Sequence, residues 1–281
     1  MKEIIARWLD FFLINHCVFS LTTLFYGNHI RVINYHGTSL KDMDNFEKQL
    51  EFFKTRFVNV TLNDLGGFFN SRWRRKNKPG LIITFDDAHR SNFANALPLL
   101  NRHGFTGWFM IPCGVVDYHT EDQSKFIGSY LTEDEQQFPD RRFVMNWDEV
   151  KEISMNHVLG CHTFSHHRMH YHDAPSVLEK EIIRAKTYLE EQSGHKIQVF
   201  CWVGGEEWAY TKRAADTVRQ AGYLFSFMTN TAPITRRTLP HQIQRTNIEA
   251  DYPIYLVRFQ LGILMDIFYL LKRMRVNLLT R

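Results

Sequence analysis

The chain has 281 residues, of which 44% are hydrophobic and 23% charged, the apolar content of a packed globular protein. Wholesale disorder, collagen-like repetition and coiled coil are excluded. The net charge of +4, from 34 basic against 30 acidic residues, is too small a surplus to argue for nucleic acid.

The first apolar stretch runs from Leu9 to Phe19 behind the basic Lys2 and Arg7. It lacks the clean apolar core and small-residue cleavage site of a secretory leader, so the cytoplasm is the expected location. Asp10, Asn15, His16 and the Thr22-Thr23 pair interrupt it as a spanning helix, which needs about 20 apolar residues. It reads as an amphipathic helix that packs on the domain or lies peripherally on the inner membrane, and residues 1–29 are set apart as its segment. Ile30–Tyr35 reads as a strand. Asp44 and Glu47 form a capping-box pattern opening a helix whose Phe46, Leu50 and Phe53 share one face. Leu81–Phe85 is a nearly continuous apolar run after Pro79-Gly80, as expected of a strand buried on both faces. A helix from about Ser91 to His103 stops at Gly104, and Phe105–Ile111 is a further strand.

Asp117–Arg142 is polar, acidic and too long for an ordinary connection, so it reads as a lid or a mobile insertion. Asn146 and Glu149 make a second capping box. Leu178, Ile182, Ala185 and Leu189 mark a long amphipathic helix ended by Gly194. Ile197–Trp202 is a strand, Thr211–Ala221 a helix ended by Gly222, and Leu224–Thr229 a strand. Ile254–Leu271 is apolar apart from Arg258 and Asp266, and Lys272, Arg273, Arg275 and Arg281 follow. Residues 254–281 therefore read as a docked helix or a peripheral membrane contact. Six or seven strands alternating with helices between residues 30 and 253 imply one α/β domain on a parallel sheet, open or closed into a barrel.

Four scattered cysteines (Cys17, Cys113, Cys161, Cys201) form no CxxC pair, and a reducing compartment is the simpler reading. Histidine stands out: there are 14, six of them between His157 and His172. Two places carry chemistry. Thr84-Phe85-Asp86-Asp87 puts adjacent carboxylates at the end of the most apolar strand, where α/β folds build their sites. Neighbouring carboxylates resist joint ionisation unless a cation neutralises one, although Asp also caps turns and helices. His162-Thr163-Phe164-Ser165-His166 places two imidazoles at i and i+4, able to converge on one metal ion from a helical face or from a strand-to-turn geometry. Two histidines and one aspartate would make a three-ligand open site, leaving the other aspartate as a general base.

These residues resemble a known family. Thr84-Phe85-Asp86-Asp87 is similar to the first motif of the polysaccharide deacetylases, the NodB-homology group of carbohydrate esterase family four. His162-Thr163-Phe164-Ser165-His166 resembles their second motif. The likeness extends over roughly residues 30–250. Tyr35-His36 looks like the opening strand, Asn146–Val150 the helix before the histidine motif, and Phe200–Gly205 the third motif. Ala221-Gly222-Tyr223 followed by Phe225 looks like the helix-to-strand step beyond it. The resemblance implies a distorted (β/α) barrel with a divalent metal at its mouth, usually zinc. It implies Asp86 as base, with Asp87, His162 and His166 as metal ligands. The implied reaction is hydrolysis of an N-acetyl group on an amino-sugar glycan or lipid-linked precursor of capsule, exopolysaccharide or lipopolysaccharide type.

The departures are specific. Ala88 follows the first motif where glycine is usual, and Cys201, Val203 and Gly204 replace the arginine or aromatic and proline expected in the third. Arg245 looks like the arginine near the chain end in exopolysaccharide-type members and could supply the missing charge, or be a surface residue. No late leucine-any-histidine motif is present, which leaves His36 and His241 as weak candidates for the general acid. His167, His170 and His172 are not expected to be ligands. Two other readings compete: a small-molecule amide or formamide hydrolase of the same fold, and a degenerate, non-catalytic glycan-binding module. Intact Asp86, Asp87, His162 and His166 oppose the last.

Overall fold

The apolar runs become strands of one sheet because each buries both faces, one against helices and one against the other strands across a lumen. The computed structural model describes residues 2–12, 14–73, 78–128 and 137–281. Its strands are β1 (Ile30–Tyr35), β2 (Val58–Asn59), β3 (Gly80–Phe85), β4 (Gly107–Ile111), β5 (Val158–Cys161), β6 (Val199–Cys201), β7 (Phe225–Met228), β8 (Ile243–Gln244) and β9 (Thr246–Asn247). They form one sheet in the order β8-β7-β6-β5-β4-β3-β1-β9, with β2 added beside β3, and every pairing between these strands is parallel. The two ends of that order, β8 and β9, are halves of one extended segment separated only by Arg245. Arg245 N–H donates to Met228 O at 2.8 Å, and Ile248 N–H to Asn34 O at 2.9 Å. This segment therefore bridges β7 to β1, and the sheet is a nearly closed barrel, as the sequence implied.

Strand alternation sorts the side chains into two layers. Ile33, Tyr35, Ile83, Phe85, Phe109, Ile111 and Phe200 face outward into a core shared with the helices. Val32, Ile82, Trp108, Met110, Val199, Cys201, Phe227 and Ile243 form a separate cluster inside the barrel, closed below by Leu65 and Phe68. Those two belong to a helix, Leu62–Phe69, that the sequence reading did not anticipate. Its Thr61/Asp64 capping box is complete.

The helices around the barrel are α1 (Lys2–Phe11), α2 (Ile14–Tyr26), α3 (Met43–Arg56), α4 (Leu62–Phe69), α5 (Leu97–His103), α6 (Thr120–Ile127), α7 (Trp147–Ser154), α8 (Ala185–Ser193), α9 (Lys212–Gln220), α10 (Ile254–Gln260), α11 (Ile263–Phe268) and α12 (Leu270–Leu279). Phe46, Leu50 and Phe53 are buried, as their spacing predicts. The Asp44/Glu47 capping box does not form, because α3 starts at Met43 and Glu47 binds Arg102 and His103 instead. The Asn146/Glu149 box is complete. α5 and α8 are each preceded by a wider π-type segment, Asn92–Ala96 and Glu179–Arg184. Asp117–Arg142 contains α6, and its residues 129–136 lie outside the described residues, as does Leu13 of the first apolar stretch. The terminal apolar stretches are not single helices: the first is α1 and α2, the last α10, α11 and α12. Among the described residues no helix is long and apolar enough to cross a membrane.

Candidate active site and metal centre

The lumen-facing alternation continues past the strand ends and gathers polar groups at one mouth of the barrel. Thr84 is followed by Asp86 two residues on, Gly160 by His162, and Ile243 by Arg245. Beyond the strands the backbone turns sharply through left-handed conformations: φ is +69° at Asp87, +53° at Ala88, +64° at Thr163 and +58° at His166. Non-glycine residues held there cost of order 1–3 kcal/mol each, and such strain clusters where a site over-determines the backbone. His162 and His166 thus meet through a strand and a turn, not along one helical face.

Asp87 Oδ1 lies 3.4 Å from His162 Nε2 and 2.9 Å from His166 Nε2. Their ligand atoms all lie within 4.8 Å of one another. Asp87 Oδ1 is buried and takes part in no hydrogen bond of good geometry. A buried carboxylate oxygen facing two imidazole nitrogens in this way is a donor set suited to a divalent cation such as zinc. His162 Nδ1 lies 3.0 Å from Cys201 O, which makes Nδ1 the protonated nitrogen and turns Nε2 toward Asp87. Asp86, His162 and Cys201 form a second possible group. Both Asp86 oxygens are already engaged, however. Arg245 donates to Oδ1 at 2.6 Å and to Oδ2 at 2.8 Å, and Asn34 Nδ2 to Oδ2 at 3.4 Å. Arg245 also reaches Thr84 Oγ1 and Thr229 Oγ1, and it is 1% exposed, so it is not a surface charge.

Burial opposes ionisation of both aspartates, and their partners win. Arg245, then His162, hold Asp86 below its ordinary value. His162 and His166 hold Asp87 well below. Burial also opposes charge on His36, but Glu249 Oε1, 2.9 Å from its Nδ1, raises its pKa to about 9. His36 lines the same cavity as the two aspartates, so the mouth holds a carboxylate kept ionised and an imidazole kept protonated. The cavity is about 540 Å³, within the size range of small-ligand sites, and is bordered by Arg168, Gly204, Glu206, Tyr252 and Lys272 among others.

A residue outside the sequence motifs fixes the histidine turn. Glu181, 3% exposed, accepts the Phe164 and Ser165 N–H groups at 3.0 and 2.8 Å and the Ser165 hydroxyl at 2.8 Å. The only sequence signal was a glutamate beside Ile182 on the buried side of a helix. The acidic insertion also reaches the site: the Phe126 ring of α6 meets His166 edge to face at 5.1 Å. His241 does not border the cavity. His167 pairs with Asp173, and His157 accepts the Gly107 N–H, so these two serve local structure. The His170, Tyr171 and His172 rings contact one another and do not border the cavity.

A family model described as polysaccharide deacetylase matches residues 74–226, more than half of the chain. The chain belongs to the polysaccharide deacetylases, enzymes of carbohydrate esterase family four, a membership that implies an acetylated carbohydrate as substrate. Solved structures with the same fold include the Streptococcus pyogenes deacetylase PplD in complex with acetate, 16% identical, TM-score 0.65, covering 83% of this chain and 98% of that one. A de-N-acetylase from Aggregatibacter actinomycetemcomitans is 14% identical with TM-score 0.64, covering 83% and 100%. IcaB from Ammonifex degensii is 19% identical with TM-score 0.60, covering 83% and 96%. No curated protein matches the sequence.

Proposed function

We propose that this protein is a metal-dependent N-deacetylase of an amino-sugar glycan, or its lipid-linked precursor, of the capsule, exopolysaccharide or lipopolysaccharide type. The observation that carries the reading is the division of labour between adjacent carboxylates: Asp86 clamped by Arg245, and Asp87 facing His162 and His166 with an oxygen that no hydrogen bond uses. Asp87, His162 and His166 are the residues that would hold the ion, zinc in this reading. Bound there, the ion would polarise the acetamide carbonyl and the attacking water.

The remaining steps fall to the chain. Arg245 keeps Asp86 ionised and fixes both its oxygens, so the carboxylate is oriented to take the proton of the attacking water. His36, charged by Glu249, is poised to return a proton to the leaving amine, the role that the missing late histidine motif leaves open. Arg168 and Lys272 on the cavity rim suit hydroxyl, carboxylate or phosphate groups of the substrate. All four cysteines are free, in keeping with a cytoplasmic location.

The test is metal analysis together with acetate release from N-acetylated amino-sugar oligomers. Asp86→Asn should keep its metal and lose at least about 10²-fold in turnover. His162→Ala should lose both. Deacetylation by Asp86→Asn at the parent rate would remove Asp86 as base. A parent that binds no metal, even from zinc, cobalt or nickel salts, would leave the glycan-binding module as the better reading.

A further inference from the structure

The terminal helices are built inside out. Among the described residues of α1 and α2 only Ala6, Asn15, Phe19 and Thr22 are buried, two of them polar, while Ile4, Trp8, Leu21, Leu24 and Phe25 are exposed. Asn15 Nδ2 donates to Ala6 O at 2.8 Å, and Thr22 Oγ1 accepts the Ile263 N–H at 3.0 Å. α11 and α12 repeat the inversion. Asp266 is 1% exposed and paired with Arg31, whereas Phe268 and Leu278 are each 72% exposed. Among the described residues, nine large exposed hydrophobic side chains lie in α1, α2 and their junction and eight in α11 and α12, against six in the whole chain between. Trp8, Phe11 and Phe12 pack on each other as an aromatic cluster at this surface. A helix that turns its polar groups to the protein and its apolar stripe outward is unfavourable in water and favourable at a lipid interface.

Charge selects the occupant. All three carboxylates of these helices are engaged within the protein: Glu3 with Tyr255, Asp10 with Arg258 and Asp266 with Arg31. The exposed ionic side chains left at the border, Arg7, Arg275 and Arg281, are basic, with Lys272 beside them. Arg275 is balanced by Glu207, and Glu3, whose partner Tyr255 is uncharged, lies one turn from Arg7, so four basic groups at this border face two acidic ones and the surplus is basic. Two copies meeting on this face would bring like charges together, whereas an anionic lipid surface complements them. The layer also reaches the site, because Gln260 of α10, Tyr269 between α11 and α12, and Lys272 of α12 border the cavity that contains Asp86 and Asp87.

We infer that α1, α2 and α10–α12 form a docking plate for bilayers containing anionic phospholipid, which sets the cavity mouth at the headgroup layer. Docking stands independently of the chemistry; only its consequence, that the natural substrate is lipid-anchored, rests on the deacetylase reading.

The test is co-sedimentation of the full chain with vesicles of phosphatidylcholine, with and without phosphatidylglycerol. The parent should sediment with the phosphatidylglycerol vesicles and be released by high salt. The variant carrying Phe12→Asp, Leu24→Asp, Phe268→Asp and Leu271→Asp should partition about tenfold or more weakly. That variant should deacetylate a water-soluble oligosaccharide at the parent rate. The pair Arg7→Glu with Arg281→Glu, which removes no apolar surface, should weaken only binding to the anionic vesicles. Asp86→Asn should dock normally, so failure of the chemistry and failure of the plate are read separately. A parent that remains in the supernatant with anionic vesicles overturns the inference, as does a quadruple variant that sediments like the parent. A lipid-free parent dimer that the four substitutions dissolve would assign the face to a second copy instead.

Discussion

Two buried arginine–carboxylate pairs, both anchored through β1, look alike and do different things. Arg245 grips Asp86 at 2.6 and 2.8 Å, and Arg31 grips Asp266 at 2.7 and 2.6 Å. Both pairs are bidentate, and all four side chains are nearly inaccessible. Asn34, which reaches Asp86, is three residues along β1 from Arg31, so strand alternation sends one into the lumen and the other outward. Around Arg31–Asp266 the structure closes. Tyr26 covers the guanidinium, Arg273 donates to Asp266 O, and burial with the Asp266 charge lifts the Tyr26 hydroxyl to about 12. Around Arg245–Asp86 it opens onto a cavity that Asp87, His162 and His166 also line. A buried ion pair is therefore no mark of a site in itself; what borders it decides.

The largest expected effects come from cutting each pair. Arg245→Ala would leave Asp86 buried without its cation, and burial would then raise its carboxyl pKa. Activity at neutral pH should fall by about 10²–10⁴, the contribution typical of a general base. The acid limb of the pH–rate profile should move to higher pH, because the base works only when ionised. Asp266→Ala should instead cost about 3–5 kcal/mol of stability by stranding Arg31, with turnover per folded molecule kept. Thermal unfolding beside acetate release separates the two. If Asp266→Ala lost turnover without losing stability, the contrast would collapse.

The legible parts of the molecule are those that local pattern determines. β3 and β4 stood out because a strand buried on both faces is nearly all apolar, and β1 because Ile30, Val32, Ile33 and Tyr35 are strand formers around Arg31 and Asn34. The Asp86-Asp87 and His162–His166 motifs stood out because their spacing is local, and the barrel brings them together as the resemblance implied. Arg245 was visible only as a candidate, since its contact with Asp86 spans 159 residues and depends on barrel closure. α4 went unassigned: it is short, and Gly66-Gly67 in its middle are poor helix formers. Glu181 was hidden because a glutamate on a helix is ordinarily solvated, and only the turn it caps reveals its use. The terminal segments show the same limit: amphipathic spacing gives a helix a face, and tertiary structure alone decides whether that face turns in or out.

A third region sharpens the comparison at the cavity edge, where the pair is a histidine and a carboxylate. His36 and Glu249 are 28% and 25% exposed, so solvent screens them more than either arginine pair. The raised pKa fixes the sign: stability from this pair is fully present below the ordinary value of 6.5 and lost as pH rises through about 9. If His36 is the acid, activity falls on the same side. Glu249→Gln should move the alkaline limb of the profile to lower pH while leaving the acid limb in place. An unmoved alkaline limb would detach His36 from the proton transfer.

The smallest expected effect concerns Ala88, beside Asp87. Its φ of +53° is the left-handed region that glycine adopts freely, which gives a physical reason for the glycine usual at this place in the family. Ala88 is 2% exposed, so its methyl group also contributes packing, worth less than about 1 kcal/mol. Relief of the strained φ should outweigh that loss and the greater freedom glycine gives the unfolded chain. Ala88→Gly should therefore raise stability by up to about 1 kcal/mol, a shift of about 2 °C or less in Tm for a chain of 281 residues. Metal affinity should be unchanged, because the substitution leaves the Asp87, His162 and His166 side chains in place. A lower Tm would mean that the surrounding core, not the motif's backbone, sets the geometry of residue 88.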